Sequence, residues 1–311
     1  MSQPKSKQFA TWATEWLKLA KPTVKGNTFA ASYKNPVEKH LIPYFGRKRL
    51  NSIKQTDIQE YISIVAQKYS SDTVKKHKHC LFHIFDVAVE NDYCIKNPVR
   101  RIKINCTKAN TEKYVYTAEE ERLLVTYARQ HRFGKEVKFL LATGISRSEL
   151  LALTWQNVNL KERIMYIRNG AAIVPDENGK QITFIGETKN PFRRRDIPLD
   201  TATCELLQGL SRESVYVFCN KYGNVHNPRT WQRRHFDVFM QDMHNYYAER
   251  GIYIPIVTPH QLRHTRLSRL VNSGKNPIAV GKYGGHVDMN MLAKRYVHST
   301  TNELREQLEI D

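Results

Sequence analysis

The chain has 311 residues, with 49 Lys and Arg set against 30 Asp and Glu, a formal charge of +19. Hydrophobic residues make up 41%, including four Trp, sixteen Tyr and twelve Phe, which excludes a disordered chain and supplies material for packed cores. The length fits about two domains. The cationic excess points to a polyanion bound in a salt-sensitive way, with DNA ahead of a ribosomal or anionic-lipid surface.

The predicted elements begin with a helix carrying Phe9, Trp12, Ala13, Trp16 and Ala20 at helical spacing, closed by Lys21-Pro22. A second helix is expected over Thr28 to His40, with Pro43 and Gly46 in the loop that follows. Thr56 with Gln59 reads as a capping box opening a helix through Ile58, Ile62 and Val65. The next helix starts near Ser71-Asp72 and runs through Val74, Leu81, Ile84, Phe85 and Ala88. Its other face carries Lys75, Lys76 and Lys78, an ordinary solvated face or, on DNA, a set of phosphate contacts.

From Asn97-Pro98 to Tyr116 the periodicity fades, and Arg100, Arg101, Lys103, Lys108 and Lys113 face a single Glu112. That composition describes an exposed basic connection. The domains are therefore set at 1–100 for a helical DNA-binding part, 101–116 for the linker and 117–311 for a second domain. Thr117 with Glu120 gives the capping box that opens the latter. Helices are expected at 117–130, 135–143 and 147–154, then strands at 163–167, 182–185 and 195–199. Further helices follow near 201–210, 228–248, 260–273, 276–283 and 288–296. Helices, a small antiparallel sheet and more helices, without βαβ alternation, give an α+β fold that is mostly helical.

Cys80, Cys94, Cys106, Cys204 and Cys219 are odd in number and never spaced C-x-x-C, so they read as reduced thiols. The first residues lack the apolar core of a signal peptide, and no apolar run approaches the roughly 20 residues of a membrane span. A soluble, intracellular protein without a membrane partner is expected. His260 and His264 have helical zinc spacing, and His286 and His298 follow. Without an H-E-x-x-H glutamate or clustered cysteines, no metal and no cofactor is assigned.

Four segments carry chemistry. Thr143-Gly144-Ile145-Ser146-Arg147-Ser148-Glu149-Leu150 lies at a helix start, and Thr188-Lys189 sits at a hairpin tip before Arg193, Arg194 and Arg195. His260-Gln261-Leu262-Arg263 opens a helix behind Thr258-Pro259, and Gly285-His286 precedes Tyr296 by about ten residues. Arginine forks and histidines suit a phosphate. A tyrosine with an unperturbed pKa of about 10 attacks only with a base and a cationic cradle beside it.

These segments resemble the signature of tyrosine recombinases, the phage-integrase family, whose patterns are T-G-x-R-x-x-E-L, a hairpin lysine, H-x-x-R, G-H or G-W, and a final Tyr. Two positions depart from it. Ser146 occupies the arginine position with Arg147 one later, a turn of about 100° on a helix, and Gly284 stands where a Leu is usual. The resemblance implies Tyr296 as nucleophile, His260 as acid–base, Arg147, Arg263 and His286 as transition-state donors, Lys189 as acid to the leaving 5′ oxygen and Glu149 as support. Lys75, Lys76, Lys78, Arg100, Arg101, Lys103, Arg193, Arg194 and Arg195 are then DNA contacts.

The implied product is a 3′-phosphotyrosyl intermediate formed without metal or ATP, in an enzyme that integrates or excises a mobile element. Its partners would be double-stranded recombination sites, three further copies in a tetramer and an accessory directionality factor, in the bacterial cytoplasm at the nucleoid. Residues 299–311, with Leu304, Leu308 and Ile310, are expected to dock on a neighbour or to close as an ordinary terminal helix. The likeness is greatest to integrases of phages and conjugative transposons of Gram-positive bacteria. Their small amino-terminal arm-binding domain has no counterpart, so the chain is either trimmed or from a simpler branch. A chromosome-dimer resolving or type IB topoisomerase-like enzyme, and a catalytically silent DNA-binding protein, are the alternatives.

Overall fold

The computed structural model describes residues 7–24, 26–106, 114–176, 178, 180–187 and 193–285. Lys108, Lys113, Lys189, His286, Tyr296 and the expected helix at 288–296 lie outside the described residues, as does the terminal segment 299–311. The chain divides into two units, Met1–Glu112 and Lys113–Asp311. The α+β, mostly helical reading holds, with short antiparallel strands confined to the second unit.

In the first unit the helices Phe9–Ala20, Gln55–Lys68 and Ser71–Glu90 pack with a helical stretch from Gly26 to Phe45. Phe9 sits at the centre, its ring 5.5 Å from that of Phe45 and 6.0 Å from that of Phe85. Burying such side chains contributes roughly 1.5–3 kcal/mol each. The Trp12 indole donates to the Ile84 carbonyl at 2.9 Å, so its one polar group is satisfied inside the core. The expected Thr56–Gln59 capping box is not what opens the helix Gln55–Lys68. The Asp57 carboxylate accepts from the Lys54 N–H at 2.8 Å, which starts the helix at Gln55.

Gln59 works elsewhere. Its side-chain amide exchanges two 3.0 Å hydrogen bonds with the backbone of Lys103. Val99 and Ile102 are buried, and the Lys78 ammonium donates to the Ile102 carbonyl at 2.6 Å. The connection through residue 103 is thus part of the first unit's packing, and the expected free linker does not begin at 101. Basic composition hid the two apolar residues that anchor it.

In the second unit Trp231, Phe139, Phe236, Phe239 and Leu140 are fully buried. The Thr117 and Glu120 side chains form the expected capping box at the start of Ala118–Ala128. Strands β1 (Val158–Asn159), β2 (Ile164–Ile167), β3 (Asn169–Pro175), β4 (Gln181–Glu187) and β5 (Arg195–Pro198) make two antiparallel sheets. One has the order β1-β2-β5, with Met165 opposite Ile197. The other is the β3–β4 hairpin, with Asn169 opposite Glu187. Strand β3 escaped the sequence reading because Gly170-Ala171-Ala172 has little strand propensity. The expected 228–248 helix begins at Pro228 on an Asn227 cap and passes through a π-turn at Gln232–Phe236. Among the described residues, no helix is long and apolar enough to cross a membrane.

Candidate nucleic-acid interface and active site

Arg263 projects from the second turn of the helix Pro259–Asn272, whose Thr258 cap accepts from the Gln261 N–H. The residue is 7% exposed, and its guanidinium reaches two carbonyls far apart in sequence. Nη1 donates to Gly144 O at 2.9 Å, and Nη2 donates to Gly284 O. Both acceptors lie at helix C-termini, where carbonyls lack intrahelical partners and the macrodipole is negative. One arginine therefore draws together the T-G turn, the H-x-x-R helix and the G-G-H turn.

The glycines make this approach possible. Gly144 ends the helix Gly134–Thr143 at φ 61°, and Gly285 ends Pro277–Gly284 at φ 64°. Both are left-handed conformations that L side chains rarely adopt. A Cβ on Gly285 would also stand 3.1 Å from Arg195 Nη1.

Glu149 is the anchor beneath. It is 4% exposed, accepts a double hydrogen bond from Arg195 at 2.9 and 3.0 Å, and lies 3.7 Å from Arg263 Nη1. Its Oε2 also accepts from the Ser146 N–H at 2.8 Å. Burial alone would push this carboxyl up. The Arg195 fork, then Arg263 and the Ser146 N–H, outweigh burial and bring its pKa down to about 2. Two buried guanidiniums share one carboxylate, so the cluster keeps an excess of positive charge.

Ser146 and Arg147 now have a physical reason for their order. Ser146 is the N-cap of the helix Arg147–Ala152, and its hydroxyl accepts from the Glu149 N–H. Arg147 takes the first helical position, half-buried, and its Nη1 donates to the side chain of Gln232 on the π-turn. His260 is exposed, its ring 4.3 Å from that of the buried His264.

Arg195 corrects an expectation. It was grouped with Arg193 and Arg194 as a DNA contact, yet it is 8% exposed, clamps Glu149 and donates from Nε to Tyr283 O at 2.6 Å. The signal was available: Arg195, Ile197 and Leu199 alternate with exposed residues, as one inward strand face does. Arg193 and Arg194 are exposed, the latter paired with Glu187. Lys78 is likewise held within its unit by the Ile102 carbonyl. Lys75, Lys76, Arg100, Arg101 and Lys103 are exposed, with Lys75 3.8 Å from Asp72 and Arg100 4.0 Å from Asp86. Gln232 was missed because nothing in its helix marks it.

Residues 106–303 match the phage integrase family, and residues 8–65 match the N-terminal SAM-like domain of phage integrases. The transposase of transposon Tn916 from Enterococcus faecalis is 26% identical over 274 residues, 82% of this chain and 65% of that protein. The chain thus spans about two thirds of the length of that curated relative. The integrase of transposon Tn1549, solved with transposon right end DNA, has a TM-score of 0.79 at 21% identity and covers 97% of this chain and 99% of its own. A lambda integrase tetramer bound to a Holliday junction gives 0.69 at 15%, covering 96% and 80%. These two share the fold. With the family match over most of its length, and with Arg263 and Glu149 joining the motif segments that define the resemblance, the chain belongs to the phage integrase family.

Proposed function

We propose that the protein is a tyrosine site-specific recombinase that cuts and rejoins DNA to integrate or excise a mobile element. The observation that carries this reading is the Arg263–Glu149–Arg195 cluster, a buried cationic assembly built where three motif segments meet. A phosphoryl group in transfer gathers negative charge, and preorganised donors stabilise it without reorganisation.

In the proposed reaction the Tyr296 oxygen attacks phosphorus, and its proton passes to His260. The bond to the 5′ oxygen breaks, Lys189 protonates that oxygen, and the 3′ phosphate stays on the tyrosine. A 5′ hydroxyl from a second duplex then attacks, releasing the phenol and restoring a phosphodiester. Arg147, Arg263 and His286 hold the non-bridging oxygens throughout. Arg195 is assigned a positioning role through Glu149. Exposed Lys75, Lys76, Arg100, Arg101, Lys103, Arg193 and Arg194 are the proposed backbone contacts. The partners proposed are paired double-stranded sites, further copies of the chain on that DNA and an accessory directionality factor, acting in a bacterial cytoplasm at the nucleoid.

The test uses element-end DNA carrying a nick near the cleavage position, incubated in EDTA with wild type and Tyr296→Phe. A protein–DNA adduct that survives denaturant and needs Tyr296 supports the reading. Equal binding by both proteins without an adduct, across several element ends, would replace it with binding alone.

A further inference from the structure

Away from that cluster, Glu136, His226 and His235 bring one ligand atom each within 4.8 Å of one another. Glu136 lies on the helix Gly134–Thr143, His226 on the loop before Pro228, and His235 on the π-turn. We propose that these three side chains form a binding site for a divalent transition-metal ion, zinc above all, with water as the fourth ligand.

Three observations carry it. His226 is 7% exposed, and its Nε2 is buried with no hydrogen-bond partner. A neutral imidazole needs only one ring proton, so the unpartnered Nε2 can present a lone pair to an ion. A buried polar atom left unpaired is otherwise costly.

Next, His235 Nδ1 stands 3.4 and 3.3 Å from the two Glu136 oxygens. That is long for an N–H···O bond, whose usual range is about 2.7–3.2 Å. It is the separation of two ligands on a tetrahedral ion with metal–ligand distances of about 2.0–2.1 Å, roughly 3.3 Å. The surroundings also hold the ligands in place. The Trp231 indole donates to Glu136, and the His235 ring stacks on Phe133 at 4.1 Å.

Two imidazoles and a carboxylate suit zinc better than the hard ions, which favour oxygen alone. The ion would tie a helix, a loop and a π-turn together. Gln232, which holds Arg147, lies three residues before His235, so the metal would stiffen the support of that arginine.

The full chain, stripped with chelator, is titrated with ZnCl2 by calorimetry and with CoCl2 by visible absorption. One site per chain and the intense band of tetrahedral cobalt are expected. Affinity should fall at least tenfold in His226→Gln and in Glu136→Gln, and stay unchanged in a His79→Gln/His83→Gln protein. That control removes a histidine pair of the first unit whose rings are 4.4 Å apart. Saturating zinc should raise the wild-type melting temperature by roughly 5 °C and leave His226→Gln unmoved. Near-UV circular dichroism checks the variants' fold, and His235→Gln, on a half-buried turn, replaces any that misfolds. Zinc binding equal in wild type and these variants, or lost only in the His79/His83 protein, overturns the proposal.

Discussion

One buried polar site in each unit shows two opposite solutions. In the first, His77 is 1% exposed and pairs with the Tyr61 hydroxyl at 2.8 Å, its ring 4.9 Å from that of His40. Burial, aided by His40, lowers its pKa to about 4, and burial raises that of Tyr61 well above the usual phenol range, so both stay neutral at pH 7. In the second, Glu149 stays ionised against Arg195 and Arg263. A neutral pair satisfies donors at little electrostatic cost. A charged cluster is expensive to bury, and weak evidence for stability, so its presence argues for a task beyond holding the fold.

The sharpest way to break the contrast is Glu149→Ala. Removing this carboxylate takes the fork from buried Arg195 and the charge 3.7 Å from buried Arg263, which should cost about 3–5 kcal/mol of the second unit's stability. Calorimetric unfolding should show that transition falling while the first unit's stays in place. Loss shared equally by both would mean that the cluster does not belong to one unit alone.

Arg147→Ala separates chemistry from architecture. Cleavage should drop about 10²–10³-fold, as for loss of one transition-state donor, with little change in melting. A silent Arg147→Ala beside a damaging Gln232→Ala would show that the observed contact is only structural.

The neutral pair makes a pH prediction of definite sign. The folded pKa of His77 lies below its unfolded value of about 6.5, so the unfolded chain binds the extra proton. The contribution is full above about pH 6.5 and is lost as pH falls towards 4, on the order of 3 kcal/mol in all. Urea midpoints of the first unit measured from pH 7 to 4 check this, and His77→Gln should flatten the slope. Glu149 has its own window: its contribution is full above about pH 4.5 and is lost progressively as the pH falls from there towards 2. Smallest is Ser146→Ala, expected to cost about 1 kcal/mol for a lost cap and to leave cleavage nearly intact.

Much of this was legible in the chain. Trp12, Trp16, Ile84 and Phe85 mark the first core by spacing alone, and Thr117 with Glu120 marks the second unit's opening helix. His260 and Arg263 could be singled out because their pattern is local, three positions apart on one helix. What escaped was non-local. Arg195 reaches Glu149 across 46 residues, and Arg263 reaches Gly144 across 119. Only the inward strand alternation of Arg195 hinted at the first, and no spacing rule encodes the second. Glu136 likewise lies about ninety to a hundred residues before His226 and His235, and only folding brings it to them.

The most direct test is the identity of the covalent link. DNA trapped on wild-type protein in EDTA is digested with nuclease and the protein with trypsin, and the modified peptide is sequenced by mass spectrometry. A nucleotide joined through its 3′ phosphate to Tyr296 is the predicted result. A link to any other residue, or recovery of unmodified Tyr296 peptide from protein that has cleaved DNA, would contradict the account.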